Sequence, residues 1–333
     1  MQTRPMDPMH RLLVAELSNA GCFRAAPLHA AAKAALIAGC YVGAYAVLLS
    51  APGLTARLVA IAAAAFFSVQ AGFIAHEAGH GALTRDRRLG VLLAHVFHTL
   101  LTGLSSTYFR HIHGLHHPHC NDCARDPDMQ SDFVSLHRES AVEKRGLGKL
   151  ISRHQAILLW ILIGLQGFTL KYDGLSFARR HPERTRLDQI FLALHALLWL
   201  IVPAFVVGLS AALLNYVLIT VLIGYYVGAI FVVNHVGTRV VESAQSISFF
   251  EQELSVTRNL GASRLDDFVF GGVNNHIEHH LFPAMPTARL RAARRITRDF
   301  CRRHGIAYRE MSWVDAAREV TRHLKTMASF VPS

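Results

Sequence analysis

Residues 189–234 read QIFLALHALLWLIVPAFVVGLSAALLNYVLITVLIGYYVGAIFVVN, 46 residues without Asp, Glu, Lys or Arg. One helix needs roughly 20 apolar residues to cross a bilayer. The stretch is twice that, and Gly208 and Ser210 mark its middle. It reads as a helical hairpin with legs of about 190–207 and 211–233. Irregular backbone facing lipid would leave its N–H and C=O groups without partners, so both legs must be helices. A second stretch, 34–75, repeats the pattern. It is broken only by Arg57, and Pro52 and Gly53 lie near its middle. Its legs fall at about 34–50 and 58–75.

Composition agrees. The 333-residue chain is 52% hydrophobic and 17% charged, with a mean hydropathy of +0.27; soluble domains carry about 25% charged residues. The formal charge of +11 would suit a nucleic-acid binder, but its placement argues for a membrane surface. Four basic residues (Arg4, Arg11, Arg24, Lys33) precede the first hairpin, fifteen lie between the hairpins and fourteen follow Val233, with Arg57 alone at a tip. Basic residues mark the cytosolic side. Both tips are therefore expected to face away from the cytosol, with both termini inside and no nucleic-acid partner. Two shorter apolar runs, 89–104 and 156–170, are each about 15 residues and read as core or interfacial helices. The charged 287–328 region reads as a cytosolic cap able to touch anionic headgroups. Five widely spaced cysteines suggest no disulfide framework. No removable signal peptide is read in 1–33, and the first apolar span serves as the insertion signal. The expected architecture is all-α and integral to the membrane. Residues 1–33 form a cytosolic N-terminal segment; 34–333 form one membrane domain with four transmembrane helices, a cytosolic loop over 76–189 and a helical cap over 234–333.

Twenty-one histidines are an excess, and their grouping matters more than their number. His76-Glu-Ala-Gly-His80 follows the second span, His113-Gly-Leu-His116-His117 lies in the central loop, and His276-Ile-Glu-His279-His280 follows the last span. Positions i, i+3 and i+4 share one helical face, so each run offers two or three imidazoles on a stripe. Imidazole suits iron, zinc and copper. Eight imidazoles exceed one metal's needs and suit two, with positions left open. His235, at the exit of the fourth span, is a ninth candidate. His95, His98, His137, His154, His181, His195 and His304 read as ordinary surface or packed histidines; His195, inside a span, should bond a neighbouring helix. His76-Glu77-x-x-His80 also spells the zinc-peptidase signature with Glu77 as general base. That reading leaves both H-x-x-H-H runs unexplained.

With these runs in place, the chain resembles the membrane fatty acyl desaturases, in the branch that includes linoleoyl-CoA and front-end enzymes. Arg125-Asp-Pro-Asp-Met129 is similar to the family's Lys-Asp-Pro-Asp-Ile, and Asn275-His-Ile-Glu-His-His-Leu-Phe-Pro-Ala-Met-Pro286 to its third histidine segment. Cys301-Arg-Arg-His-Gly-Ile-Ala-Tyr308 resembles its tail, and Asn234-His235-Val236 its Asn-His-Ile. The resemblance spans roughly residues 30–325. It implies metal ligation by His76, His80, His113, His116, His117, His235, His276, His279 and His280, with Asp126, Asp128 and Glu278 orienting imidazole N–H groups. His276 departs from the glutamine many front-end members carry there. No His-Pro-Gly-Gly haem motif occurs, so no fused cytochrome b5 is expected. His119-Cys120-Asn-Asp-Cys123 is not associated with the family; its thiols read as reduced and unliganded, with a small zinc or redox site as the rival reading.

The resemblance implies two non-haem irons, O2 as co-substrate, and a cis double bond placed in an acyl chain carried by a lipid, CoA or acyl-carrier protein. It also implies membrane lipid around the spans and a separate electron donor of the ferredoxin or cytochrome b5 type with its reductase. Hydroxylases, acetylenases and ketolases share the histidine pattern. A metal transporter would instead need polar ligands at mid-bilayer, where the spans offer only His195 and Asn215.

Overall fold

A computed structural model describes residues 7–50, 53–242 and 247–332. Arg4 and Pro52, both used above, lie outside the described residues. In chain order the helices are α1 (Pro8–Asn19), α2 (Pro27–Leu49), α3 (Leu54–Gly79), α4 (Arg87–Ala94), α5 (Ser106–His119), α6 (Arg138–Glu143), α7 (Gly146–Arg153), α8 (Gln155–Arg180), α9 (Arg186–Val207) and α10 (Leu209–His235). They continue as α11 (Phe249–Val256), α12 (Arg264–Val269), α13 (His276–Leu281), α14 (Thr287–Arg303) and α15 (Trp313–Ala328). The only sheet among the described residues is a two-residue parallel pair, β1 (Asn259–Leu260) with β2 (Glu310–Met311).

Helix starts follow local chemistry. Asp7 accepts from Met9 N at 2.8 Å ahead of Pro8, Asp86 accepts from Arg88 N at 2.8 Å, and Ser312 accepts from Asp315 N at 3.1 Å. Ser263 and Asp266 form a reciprocal capping box on α12.

Five helices are long and apolar enough to cross a membrane: α2, α3, α8, α9 and α10. Four of them match the two hairpins read from the sequence. The fifth, α8, extends the 156–170 run. The chain stays helical through Lys171 to Arg180, because the Lys171 amine turns inward, donating to Thr102 O and lying 5.1 Å over the Tyr216 ring. Its most apolar window has a mean hydropathy of 1.2, the lowest of the five, against 2.5 for α9. The other short run forms α4 and a π-helical turn to Leu100, well under a bilayer's thickness.

The chain divides into two compact units. One comprises residues 25–111 and 163–229. Its core packs Tyr41, Ala44 and Leu48 of α2 and Ala60, Ala64 and Ala65 of α3 with Trp199, Ile219 and Ile223. Small residues allow this close approach. α8 crosses α10 so tightly that a Cβ on Gly167 would collide with Thr220 O, and one on Gly224 with Gly164 O. Several polar groups in this unit find partners within it. Arg57 Nε donates to Asn215 Oδ1 at 2.8 Å, and Gln70 Nε2 to Tyr226 Oη at 3.0 Å.

The other unit comprises residues 1–24, 112–162 and 230–333. Leu13 and Leu17 of α1 and Leu290, Ala293 and Phe300 of α14 pack around Ile277 and Leu281 of α13. The first turns of α8 lie on α15, with Trp160 Nε1 donating to Thr321 Oγ1 and Gln155 Nε2 to Leu324 O, both at 3.0 Å. Arg258, fully buried, donates to Glu319 Oε2 at 2.8 Å and to Val236 O.

Candidate metal centre

α5 carries His113, His116 and His117, and its last turn ends beyond Pro118. The chain then reverses at Asn121, whose φ of 57° is the one left-handed non-glycine backbone among the described residues. The reversal brings Asp126 back beneath the helix, fully buried, with both carboxylate oxygens 3.0 Å from His116 Nδ1. Asp126 is held there by Asn121 N at 2.8 Å and Asp128 N at 2.9 Å. Asp128 Oδ2 lies 3.3 Å from the same ring nitrogen.

α13 carries His276, His279 and His280, all buried. His280 Nδ1 bonds Glu253 Oε2 at 2.8 Å; Glu253, on α11, was not singled out by the sequence. Glu278 faces elsewhere: its oxygens accept from Tyr308 Oη at 2.8 Å and Asn259 Nδ2 at 2.9 Å, and Asn259 in turn accepts Ile277 N–H. It braces α13 rather than an imidazole. His235 ends α10 with Nδ1 at 3.2 Å from Val256 O and 3.3 Å from Cys120 Sγ.

These seven histidines share one unit and form one continuous group. Ring centroids are 4.8 Å apart for His116–His235, 4.5 Å for His235–His276, 4.5 Å for His276–His280 and 4.3 Å for His117–His280. His113 and His279 join through His117 at 4.5 and 4.8 Å. Ligand atoms of His116, Cys120, His235 and His280 lie within 4.8 Å of one another, as do those of His113, His117 and His279. The remaining two candidates lie in the other unit. His76 and His80 pair at the end of α3, ring centroids 4.7 Å apart. Between them Glu77, the peptidase-like base, lies 4.0 Å from Lys33 Nζ.

The chemistry of this donor set fits metal cations. A neutral imidazole has one N–H and one lone pair. His235 Nδ1 faces Val256 O and His276 Nδ1 faces Val273 O at 3.1 Å, which places both protons on Nδ1. Their Nε2 lone pairs then point at each other across 2.7 Å. That contact is repulsive without a positive charge at hand. His113 and His117 also meet Nε2 to Nε2, at 2.9 Å. His116 and His280 each spend Nδ1 on a buried carboxylate, and the Nε2 of each is buried without a hydrogen-bond partner. A carboxylate behind one nitrogen and an unengaged lone pair on the other is how metal-binding histidines are held. Protons do not supply the missing charge at neutral pH. Burial holds His276 down to about 3, and burial with neighbouring imidazoles holds His280 well below the usual range. His116 goes the other way: burial opposes the charged ring, but Asp128 and Asp126 more than reverse that.

Of the histidines read as bland, His195 is placed as such. His195 has both nitrogens engaged, by Leu100 O at 2.8 Å and Tyr216 Oη at 3.2 Å. The C-x-x-C is split. Cys120 turns into the imidazole group, while Cys123, beyond the reversal at Asn121, lies beside His137 and Glu139.

Comparison with known proteins identifies the family. Residues 52–312 match the family model for fatty acid desaturases. The chain is 28% identical to a delta(8)-fatty-acid desaturase of Borago officinalis over 96% of its own length and 75% of the relative's. It is 28% identical to fatty acid desaturase 3 of Bos taurus (82% and 62%) and 25% identical to a delta 8-(E)-sphingolipid desaturase of Komagataella phaffii (78% and 52%). With five bilayer-length apolar helices, a buried imidazole group and a family match over most of its length, the chain belongs to the membrane-bound fatty acid desaturase family of oxidoreductases.

Proposed function

We propose that the protein is an O2-dependent acyl desaturase that places a cis double bond in a lipid-linked or thioester-linked acyl chain, using a histidine-bound di-iron centre. The observation that carries this reading is the gathering of Nε2 atoms of His116, His235, His276 and His280, two of them facing each other at 2.7 Å and two buried without a hydrogen-bond partner. The proposed ligands are these four with His113, His117 and His279, joined by His76 and His80. When bound, a pair of irons would supply the dioxygen and one-electron chemistry needed to remove hydrogens from unactivated methylenes, which side-chain acids and bases cannot do. The balance per turnover is one acyl CH2–CH2, one O2, two electrons and two protons giving one alkene and two waters.

In this scheme the protein's own residues hold and aim. Asp126 and Glu253 fix the tautomer and rotation of His116 and His280, and Val256 O and Val273 O do the same for His235 and His276. Electrons come from a separate carrier of ferredoxin or cytochrome b5 type, and the histidine-bearing segments face the cytosol with the basic residues. Acyl groups of fatty acids or sphingolipids are the substrate class, by likeness to the relatives named above. The test is metal analysis of purified protein with product analysis of host lipids by gas chromatography and mass detection. About two irons per chain and a new alkene are expected, both lost in His279→Ala. One zinc per chain, a hydroxylated product, or undiminished alkene in His279→Ala would each refute the reading.

A further inference from the structure

Outside the imidazole group, the central loop gathers a second set of metal-binding side chains. Cys123, His137 and Glu139 place their ligand atoms within 4.8 Å of one another. Tetrahedral zinc, with bonds of about 2.0–2.3 Å, needs its ligand atoms roughly 3.3–3.7 Å apart, so small side-chain rotations close the set. Cys123 is fixed by its backbone: its N–H donates to Val241 O at 3.0 Å beside the Asp122–Val241 bridge. His137 is fixed as the cap of α6, its Nδ1 accepting the Ser140 N–H at 3.4 Å.

That cap makes the contact with Glu139 informative. Nδ1 accepts from Ser140, yet Glu139 Oε2 lies 3.1 Å from the same atom. Nδ1 has a single lone pair, so a proton or a cation that joins it to Glu139 takes the place of the longer Ser140 contact. Around the thiol the charges are negative: burial, Glu139, Asp122 and Glu242 push Cys123 up to about 11. Such surroundings disfavour a free thiolate and favour a thiolate bound to a cation, the thiol proton leaving to solvent as the ion binds.

We propose that Cys123, His137 and Glu139 form a zinc-type site, three protein ligands with water in the fourth position, distinct from the histidine centre. Thiolate, imidazole and carboxylate together select a borderline-soft divalent ion over magnesium or calcium. The ion would tie the loop that carries Asp126 to the start of α6. The inference goes beyond the desaturase reading and does not depend on it.

The test titrates full-length, iron-loaded protein in detergent with Co2+, whose bond to a thiolate gives a charge-transfer absorption. Iron is measured separately, so that failure here and failure of the iron centre are told apart. One equivalent of Co2+ is expected to give the absorption and added Zn2+ to remove it. The absorption should vanish in Cys123→Ser, persist in Cys120→Ser, and need about tenfold more Co2+ in Glu139→Gln, a change at a largely exposed side chain that leaves folding intact. No absorption in the parent protein, its survival in Cys123→Ser, or its loss in Cys120→Ser would overturn the proposal. The first outcome leaves only a His137–Glu139 hydrogen bond, and the last places the ion in the buried imidazole group.

Discussion

His195 and His116 are both buried imidazoles, and they are held in opposite ways. His195, in the unit built from α2, α3, α9 and the apolar part of α10, has a partner on each nitrogen, a carbonyl and a tyrosine hydroxyl. In the same unit Arg57 donates to Asn215 and Gln70 to Tyr226. His116, in the histidine-rich unit, has a carboxylate on one nitrogen and no partner on the other. Burying a polar group without a partner costs roughly 1–3 kcal/mol. The first unit avoids that cost at His195. The second gathers several such atoms, the Nε2 of His116 and His280 among them, in one imidazole group. Burial of histidine alone therefore says nothing about metal; half-satisfied rings gathered within ligand distance of one another do.

The contrast is sharpest in the pair of substitutions expected to differ most. His116→Ala should abolish alkene formation and most bound iron, while His195→Ala should keep both and lower stability by roughly 1–3 kcal/mol from its two lost hydrogen bonds. Iron analysis beside thermal unfolding in detergent separates the two. Equal iron loss in both variants would dissolve the distinction. Next in size, Asp126→Asn and Glu253→Gln should weaken iron binding about 10–100-fold, as loss of the group behind a ligand does, whereas Glu278→Gln should leave iron in place, since its bonds go to Tyr308 and Asn259. Chelator competition reads the difference.

A smaller effect concerns protons. His276 is held down to about 3 and His280 also lies low, so in metal-free protein the unfolded chain binds protons that these native rings refuse. Their contribution is fully present above about pH 6.5 and is lost as pH falls, by roughly 1.4 kcal/mol per group per pH unit. His116, shifted upward, acts in the opposite direction. The metal-free Tm should therefore be lower at pH 5.5 than at 7.5; a higher Tm at pH 5.5 would mean that the rings are already charged when folded. Least of all for the chemistry, Gly167→Ala should cost about 1–3 kcal/mol by overpacking α8 against Thr220 of α10, with iron content unchanged.

What was legible in the sequence was local. His113, His116 and His117, like His276, His279 and His280, share a face because helical spacing requires it, and one chain segment suffices to see that. The hairpins were legible because long stretches lack charge. What was hidden depended on distance along the chain. Glu253 meets His280 from 27 residues away and Cys120 meets His235 from 115 away, and no local pattern marks either pairing. The length of α8 was hidden for another reason: Lys171 ends an apolar run in sequence but continues a helix in space, its amine stowed against Thr102 and Tyr216. Glu278, adjacent to two histidines in sequence, turned away from them because a buried carboxylate takes the best donors in reach, here a tyrosine hydroxyl and an asparagine amide.

The left-handed turn at Asn121 has a reach beyond its own loop. Its amide donates to Thr238 Oγ1 at 2.8 Å and Arg239 O at 3.0 Å, and its carbonyl accepts from Val241 N at 2.9 Å. One residue that offers no ligand thus sets the registration between the stretch after His117 and the stretch after His235. Added residues within the helices that intervene in sequence would leave that registration alone, whereas a single insertion between 117 and 126 would break it. Over evolutionary time the first should vary freely in length and the second should not.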